Sequence, residues 1–154
     1  MDYAEILTNC EEPAVGAAVL NGLSRLFERD VQLLAINASE QAIAARLAQY
    51  LQPHFPDHHV DVEYNRMGEA PKKVAWSGRP DEVYPDIIVH LRMTNTNVLA
   101  IELKKDSNPE KKEKDILKLG AYRRELGYSH ALFIRLGVGA GAGTVSDCEW
   151  VHGK

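Results

Sequence analysis

The spacing of apolar residues changes several times along the chain, and each change marks an element. Residues 12–36 carry Ala14, Ala17, Ala18, Leu20, Leu23, Leu26 and Phe27 at helical intervals, which predicts a long helix with one apolar face. Asp30 and the apolar run from Val31 to Ile36 blur where it ends. A second helix is predicted over residues 39–52, where Ile43, Leu47 and Leu51 recur every four positions with Ala44 and Ala48 beside them. Asn37 followed by Glu40 matches a capping box, and Pro53 marks the exit.

After Pro53 and Pro56 the period shortens to two. Val60, Val62 and Tyr64 alternate with Asp61, Glu63 and Asn65, the pattern of a half-buried strand running to Arg66. Residues 67–82 form a polar connection without clear period, of a length that is often functional. Ile87, Ile88, Val89 and Leu91 make a near-continuous apolar run within residues 83–91, as a central strand requires. The turn-rich stretch from Arg92 to Asn97 leads into a further strand, Val98 to Lys104. So short a loop excludes a crossover, so these two strands are expected to pair as an antiparallel hairpin. A charged loop over residues 106–114 precedes a helix from Asp115 to Leu126 that Gly127 ends. Ala131 to Leu136 reads as a buried strand, and a glycine-rich turn from Gly137 to Gly143 precedes an edge strand at Cys148 to His152. The resulting order is α-α-β-β-β-α-β, with neither an internal repeat nor a domain boundary, and it predicts one α/β domain over residues 1–154.

Composition narrows the class. A chain of 154 residues, 45% hydrophobic and 26% charged, has enough apolar material for a proper core, which excludes wholesale disorder. The net charge of −4 argues against a protein that coats polyanions by bulk charge. Cys10 and Cys148 are too few for a disulfide scaffold, and no CxxC pair points to zinc. The first residues lack a basic region with an apolar core, and no apolar run reaches the length of a membrane span, so a cytoplasmic location without membrane contact is expected.

The segment that needs a chemical explanation runs from Tyr84-Pro85-Asp86 to Glu102-Leu103-Lys104. Side chains alternate across a strand, so Leu99, Ile101 and Leu103 share one face while Glu102 and Lys104 share the other. Packing accounts for the apolar face. In an antiparallel hairpin the start of one strand lies beside the end of the next, which brings Asp86 to Glu102 and Lys104. Two carboxylates and the backbone carbonyl of Leu103 make an oxygen-rich site for a hard cation, Mg²⁺ or Mn²⁺. A metal there polarises a phosphodiester and acidifies a water. Lys104 is placed to orient or help deprotonate that water, or to stabilise the developing negative charge. The bland explanation of Glu102 and Lys104 alone is an exposed ion pair on a strand.

Pro85-Asp86, the hairpin and Glu102-Leu103-Lys104 together resemble the motif of the PD-(D/E)xK nuclease superfamily, with its restriction-endonuclease-like fold. The resemblance covers residues 37–136. Residues 1–36 would then be a helical extension and residues 137–154 a glycine-rich turn and edge strand. It implies a central mixed sheet flanked by helices, a core order α-β-β-β-α-β, and an additional N-terminal helix. It further implies Asp86 and Glu102 as metal ligands and Lys104 as the catalytic lysine of a nuclease, acting on DNA before RNA. Many members carry a glutamate on the first core helix that points at the metal, the place Glu40 takes; its other explanation is a capping acid. Members also put a basic residue and a tyrosine near substrate phosphate on the helix after the motif, where Lys118 and Tyr122 stand beside Asp115.

Other candidates have plainer explanations. Glu63, Asn65 and Arg66 suit a solvated strand face, His90 a hydrogen-bonded core position, and His54, His58 and His59 the surface. From Lys104 to Arg124, eight basic residues, Lys105 among them, face four acids, so that segment carries +4 and the rest of the chain −8. Such a basic stretch beside a metal site suits a phosphate backbone, with Lys105, Lys72, Lys73 and Arg79 as further contacts. Three functions fit: a Mg²⁺-dependent nuclease; a catalytically silent nuclease-like module binding nucleic acid or a protein partner; and, less well, a hydrolase of small phosphate esters. A homodimer stays open, with the N-terminal helix as a candidate interface.

Overall fold

The computed structural model describes residues 2–64, 72–76, 78 and 81–152. In chain order its helices and strands are α1 (Tyr3–Thr8), α2 (Pro13–Ala35), α3 (Glu40–Leu51), β1 (His59–Val62), β2 (Lys73–Val74), β3 (Asp81–Glu82), β4 (Ile87–His90), β5 (Asn97–Lys105), α4 (Glu113–Leu126), β6 (His130–Leu136) and β7 (Val145–Trp150). Five strands form one mixed sheet in the order β1-β4-β5-β6-β7, and β2 pairs with β3 in a separate two-stranded piece. β5 runs antiparallel to β4 and parallel to β6, and α4 makes the crossover that a parallel pair demands.

The alternation along β5 divides the molecule into layers. Leu99, Ile101 and Leu103 face a core shared with Leu7, Val19, Leu23, Ile43, Leu47 and Leu51 of the first three helices. Ala100 faces a second core with Ile88, Phe133 and the α4 residues Leu119 and Tyr122. The sheet is therefore an α/β sheet with helices on both faces, buried on both sides, which is why its central strands read as continuous apolar runs. Among the described residues no helix is long and apolar enough to cross a membrane.

Several local details depart from expectation. The capping box at Asn37 does not form. Asn37 lies in the left-handed region at φ 57°, and Ser39 caps α3 instead, its Oγ accepting the Ala42 N–H at 3.1 Å. β1 stops at Val62 because Glu63 turns left-handed at φ 49°; Asn65 and Arg66, expected on the same strand, lie outside the described residues, as does Arg79. The edge strand begins at Val145 rather than Cys148. α1 was not expected, since six residues are too few to display a period. It closes the end of the first core: the Leu7 carbonyl accepts the Trp150 indole N–H at 3.1 Å.

That same carbonyl lies against Gly16 of α2, where an added Cβ would stand 2.0 Å from the Leu7 oxygen. The contact is with backbone on both sides, so it cannot relax by a rotamer change. Gly16→Ala is accordingly expected to lower the unfolding free energy by about 3 kcal/mol or more. A urea midpoint within error of the wild type would show that α1 is not docked there.

Candidate active site

The register of the β4–β5 hairpin places the motif. Ile87 pairs with Ile101 and Ile88 with Ala100, so Asp86, one step before β4, stands opposite Glu102. Asp86 Oδ2 accepts the Leu103 N–H at 2.7 Å, which fastens the start of one strand to the end of the other. Glu102 and Lys104 both emerge on the α4 face, as the alternation requires. The register thus brings Asp86 beside Glu102, while the Lys104 ammonium on the same face pairs with Asp115 and Glu110.

Burial makes this convergence chemically demanding. Glu102 is 5% exposed, and its carboxyl donates to that of Asp86. Burial, followed by the negative charges of Asp86 and Asp115, pushes the Glu102 carboxyl well above the usual carboxylate range. Burial also raises Asp86, against the Leu103 N–H and Glu102, which favour its ionised form. Two carboxyls this close in a low-dielectric site hold either a shared proton or a cation. Their facing oxygens are the hard donors that Mg²⁺ or Mn²⁺ takes, and the Leu103 carbonyl belongs to the same strand end. Among the described residues no group of three or more His, Cys, Asp or Glu side chains is placed to hold a metal ion. The donor set of two carboxylates and a main-chain oxygen fits a Mg²⁺ ion that draws its other ligands from water and substrate.

Two neighbours on α4, Tyr122 and Asp115, take roles that helical spacing does not show. Tyr122, expected at substrate, is 1% exposed and donates its hydroxyl to Glu102 Oε1 at 2.9 Å. Burial and the Glu102 charge push that phenol up, so it stays a donor. Asp115 is buried at the start of α4, with Oδ2 at 3.2 Å from Lys104 Nζ and, among the described residues, no other partner for that oxygen. Glu110 Oε2 approaches the same ammonium at 3.3 Å. Burial alone would lower Lys104; Asp115 and Glu110 outweigh it and hold the ammonium above its ordinary value.

Glu40 stands in the first turn of α3, where Ser39 and not Asn37 makes the cap, and it lines the same cleft as Asp86. Its carboxylate accepts the Lys105 N–H at 2.8 Å and the Asn108 amide at 3.1 Å. It therefore pins the backbone just past Lys104. Lys105 itself reaches back to the Asn37 carbonyl at 3.4 Å. The Lys118 ammonium stands 5.3 Å from the centre of the Trp76 ring. A cleft of about 370 Å³ opens on Asp86 between α3 and the ends of β1 and β4, with Ser39, Glu40, Gln41 and Glu63 on its walls. Glu63 is exposed there and accepts the Gln41 amide at 2.9 Å. His90 is the expected core histidine: it is buried, with Nε2 at 2.7 Å from Asp61, which Arg92 also pairs. His59 accepts the Arg92 N–H rather than facing only solvent.

Comparison of the chain with protein-family models, with curated proteins and with solved structures returned no match.

Removing the Tyr122 hydroxyl strands a buried carboxyl oxygen. Tyr122→Phe is expected to cost about 1–3 kcal/mol of stability, measured by urea unfolding. An unchanged free energy would mean that the hydroxyl does not hold Glu102.

Proposed function

We propose that this chain is a metal-dependent nuclease of the PD-(D/E)xK type, with a restriction-endonuclease-like fold, that hydrolyses phosphodiester bonds of nucleic acid, DNA before RNA. The observation that carries the reading is the Asp86–Glu102 carboxyl pair with Lys104 on the same face and strand end. A structural ion pair needs one acid and one base; here a second carboxyl is buried against the first, at a desolvation cost that packing does not require.

In this reading Asp86, Glu102 and the Leu103 carbonyl would hold Mg²⁺ or Mn²⁺, which would supply Lewis-acid polarisation of the phosphodiester and a more acidic water. The chain's own groups do the rest. Asp86 is the carboxyl that meets the cleft, so substrate enters from its side. Lys104, kept protonated by Asp115 and Glu110, acts as a fixed positive charge toward the phosphoryl oxygens rather than as a base. Tyr122 orients Glu102, and Glu40 fixes the main chain of Lys105. A module without turnover is the second reading, and it draws on the closure of the site: Glu102 is buried and two carboxylates engage Lys104.

Lys104→Ala is expected to reduce Mg²⁺- or Mn²⁺-dependent cleavage of DNA by about 100-fold or more, with circular dichroism unchanged. Equal rates in wild type and variant would contradict the proposed role, and no cleavage by wild type with either metal would leave the module.

A further inference from the structure

Trp76 follows the short strand β2, which is clipped to α4 where the Ala75 N–H donates to both oxygens of Glu125 at 3.1 Å. Part of the ring packs on the second core and part stays exposed. Two ammoniums of α4 stand over it: Lys114 Nζ at 5.6 Å from the ring centre and Lys118 Nζ at 5.3 Å. One lysine near a tryptophan is explained by a cation–π contact. Two like charges gathered at one ring repel each other, and an anion between them would relieve that cost. Among the described residues neither forms an ion pair, and Glu110, the carboxylate whose ionisation both favour, is committed to Lys104. Much of the other basic charge in this segment is already used, Lys112 by Asp147 and Glu149 and Arg123 by Glu11.

We propose that Trp76, Lys114 and Lys118 form a landing surface for single-stranded nucleic acid, with the ammoniums on successive phosphates and an unpaired base stacked on the indole. This deepens the nuclease reading by naming its substrate class. The surface adjoins the site, because Lys118 lies one helical turn past Asp115, the residue that holds Lys104. Every base presents a π-face when unpaired, but inside a duplex its neighbours cover both faces, so an aromatic platform of this kind selects single strands.

Trp150, the chain's other tryptophan, is 7% exposed, so a fluorescence change on ligand addition reports Trp76. The test titrates the full chain, in EDTA to prevent cleavage, with an oligodeoxythymidine and with a blunt duplex of equal length. The single strand is expected to quench tryptophan emission and the duplex to leave it unchanged. Trp76→Ala is expected to weaken single-strand binding by about 5- to 150-fold. Lys114→Gln and Lys118→Gln should each lower the slope of log affinity against log salt by about 0.7. Unchanged emission at saturating single strand, or equal quenching by the duplex, overturns the inference without any variant. Cleavage in Mg²⁺ without quenching would overturn this surface and leave the proposed chemistry; quenching without cleavage would do the reverse.

Discussion

Glu102 and Asp86 stand opposite each other at the end of a sheet that is covered on both faces, and each depends on the other's protonation state. Burying one carboxyl costs several kcal/mol unless it is neutral or paired, and burying a second beside it raises that cost. The surrounding architecture is arranged around this pair. The Leu103 N–H takes Asp86, the Tyr122 hydroxyl takes Glu102, and α4 enters with Asp115 to fix the neighbouring ammonium of Lys104. α3 supplies Glu40 from the other side of the sheet, where it ties down the chain that leaves β5. α3 and α4 thus meet the end of the hairpin from its two faces.

Much of this was legible because strand alternation is strict. Once residues 98–104 are read as a strand, Leu99, Ile101 and Leu103 must share a face and Glu102 and Lys104 the other; the hairpin loop then forces Asp86 alongside. The long helices were legible from their stripes, and the antiparallel pairing from the shortness of the loop. What escaped was local or long-range. α1 is too short to show a period, and the strand pair β2–β3 has two residues on each side. The cap moved from Asn37 to Ser39 because a left-handed turn at Asn37 ends α2 and resets the start of α3. Glu40 matched a capping box by its spacing from Asn37 and a metal ligand by the family resemblance, and its bond to the Lys105 N–H, 65 positions away, was visible to neither. Tyr122 faces inward onto Glu102, a contact set by how α4 crosses the sheet and invisible to helical spacing alone.

The distribution of charge also gains meaning in three dimensions. The basic stretch from Lys104 to Arg124 is an excess on paper, yet Lys104, Lys112 and Arg123 are each spent on carboxylates within the fold. Lys114 and Lys118 at Trp76, which form no ion pair among the described residues, are therefore a smaller and more localised field than the sequence count implies. The proposed landing surface draws on these two lysines of α4 rather than on the net charge of the segment.

The central claim is that the carboxyl pair is built to hold a divalent cation, and a crystal soaked in Mn²⁺ tests it most directly. The account predicts an anomalous difference peak between Asp86 and Glu102, within ligand distance of both carboxyls. An intact crystal at saturating Mn²⁺ with no peak there, and the two carboxyls still hydrogen-bonded to each other, would contradict it.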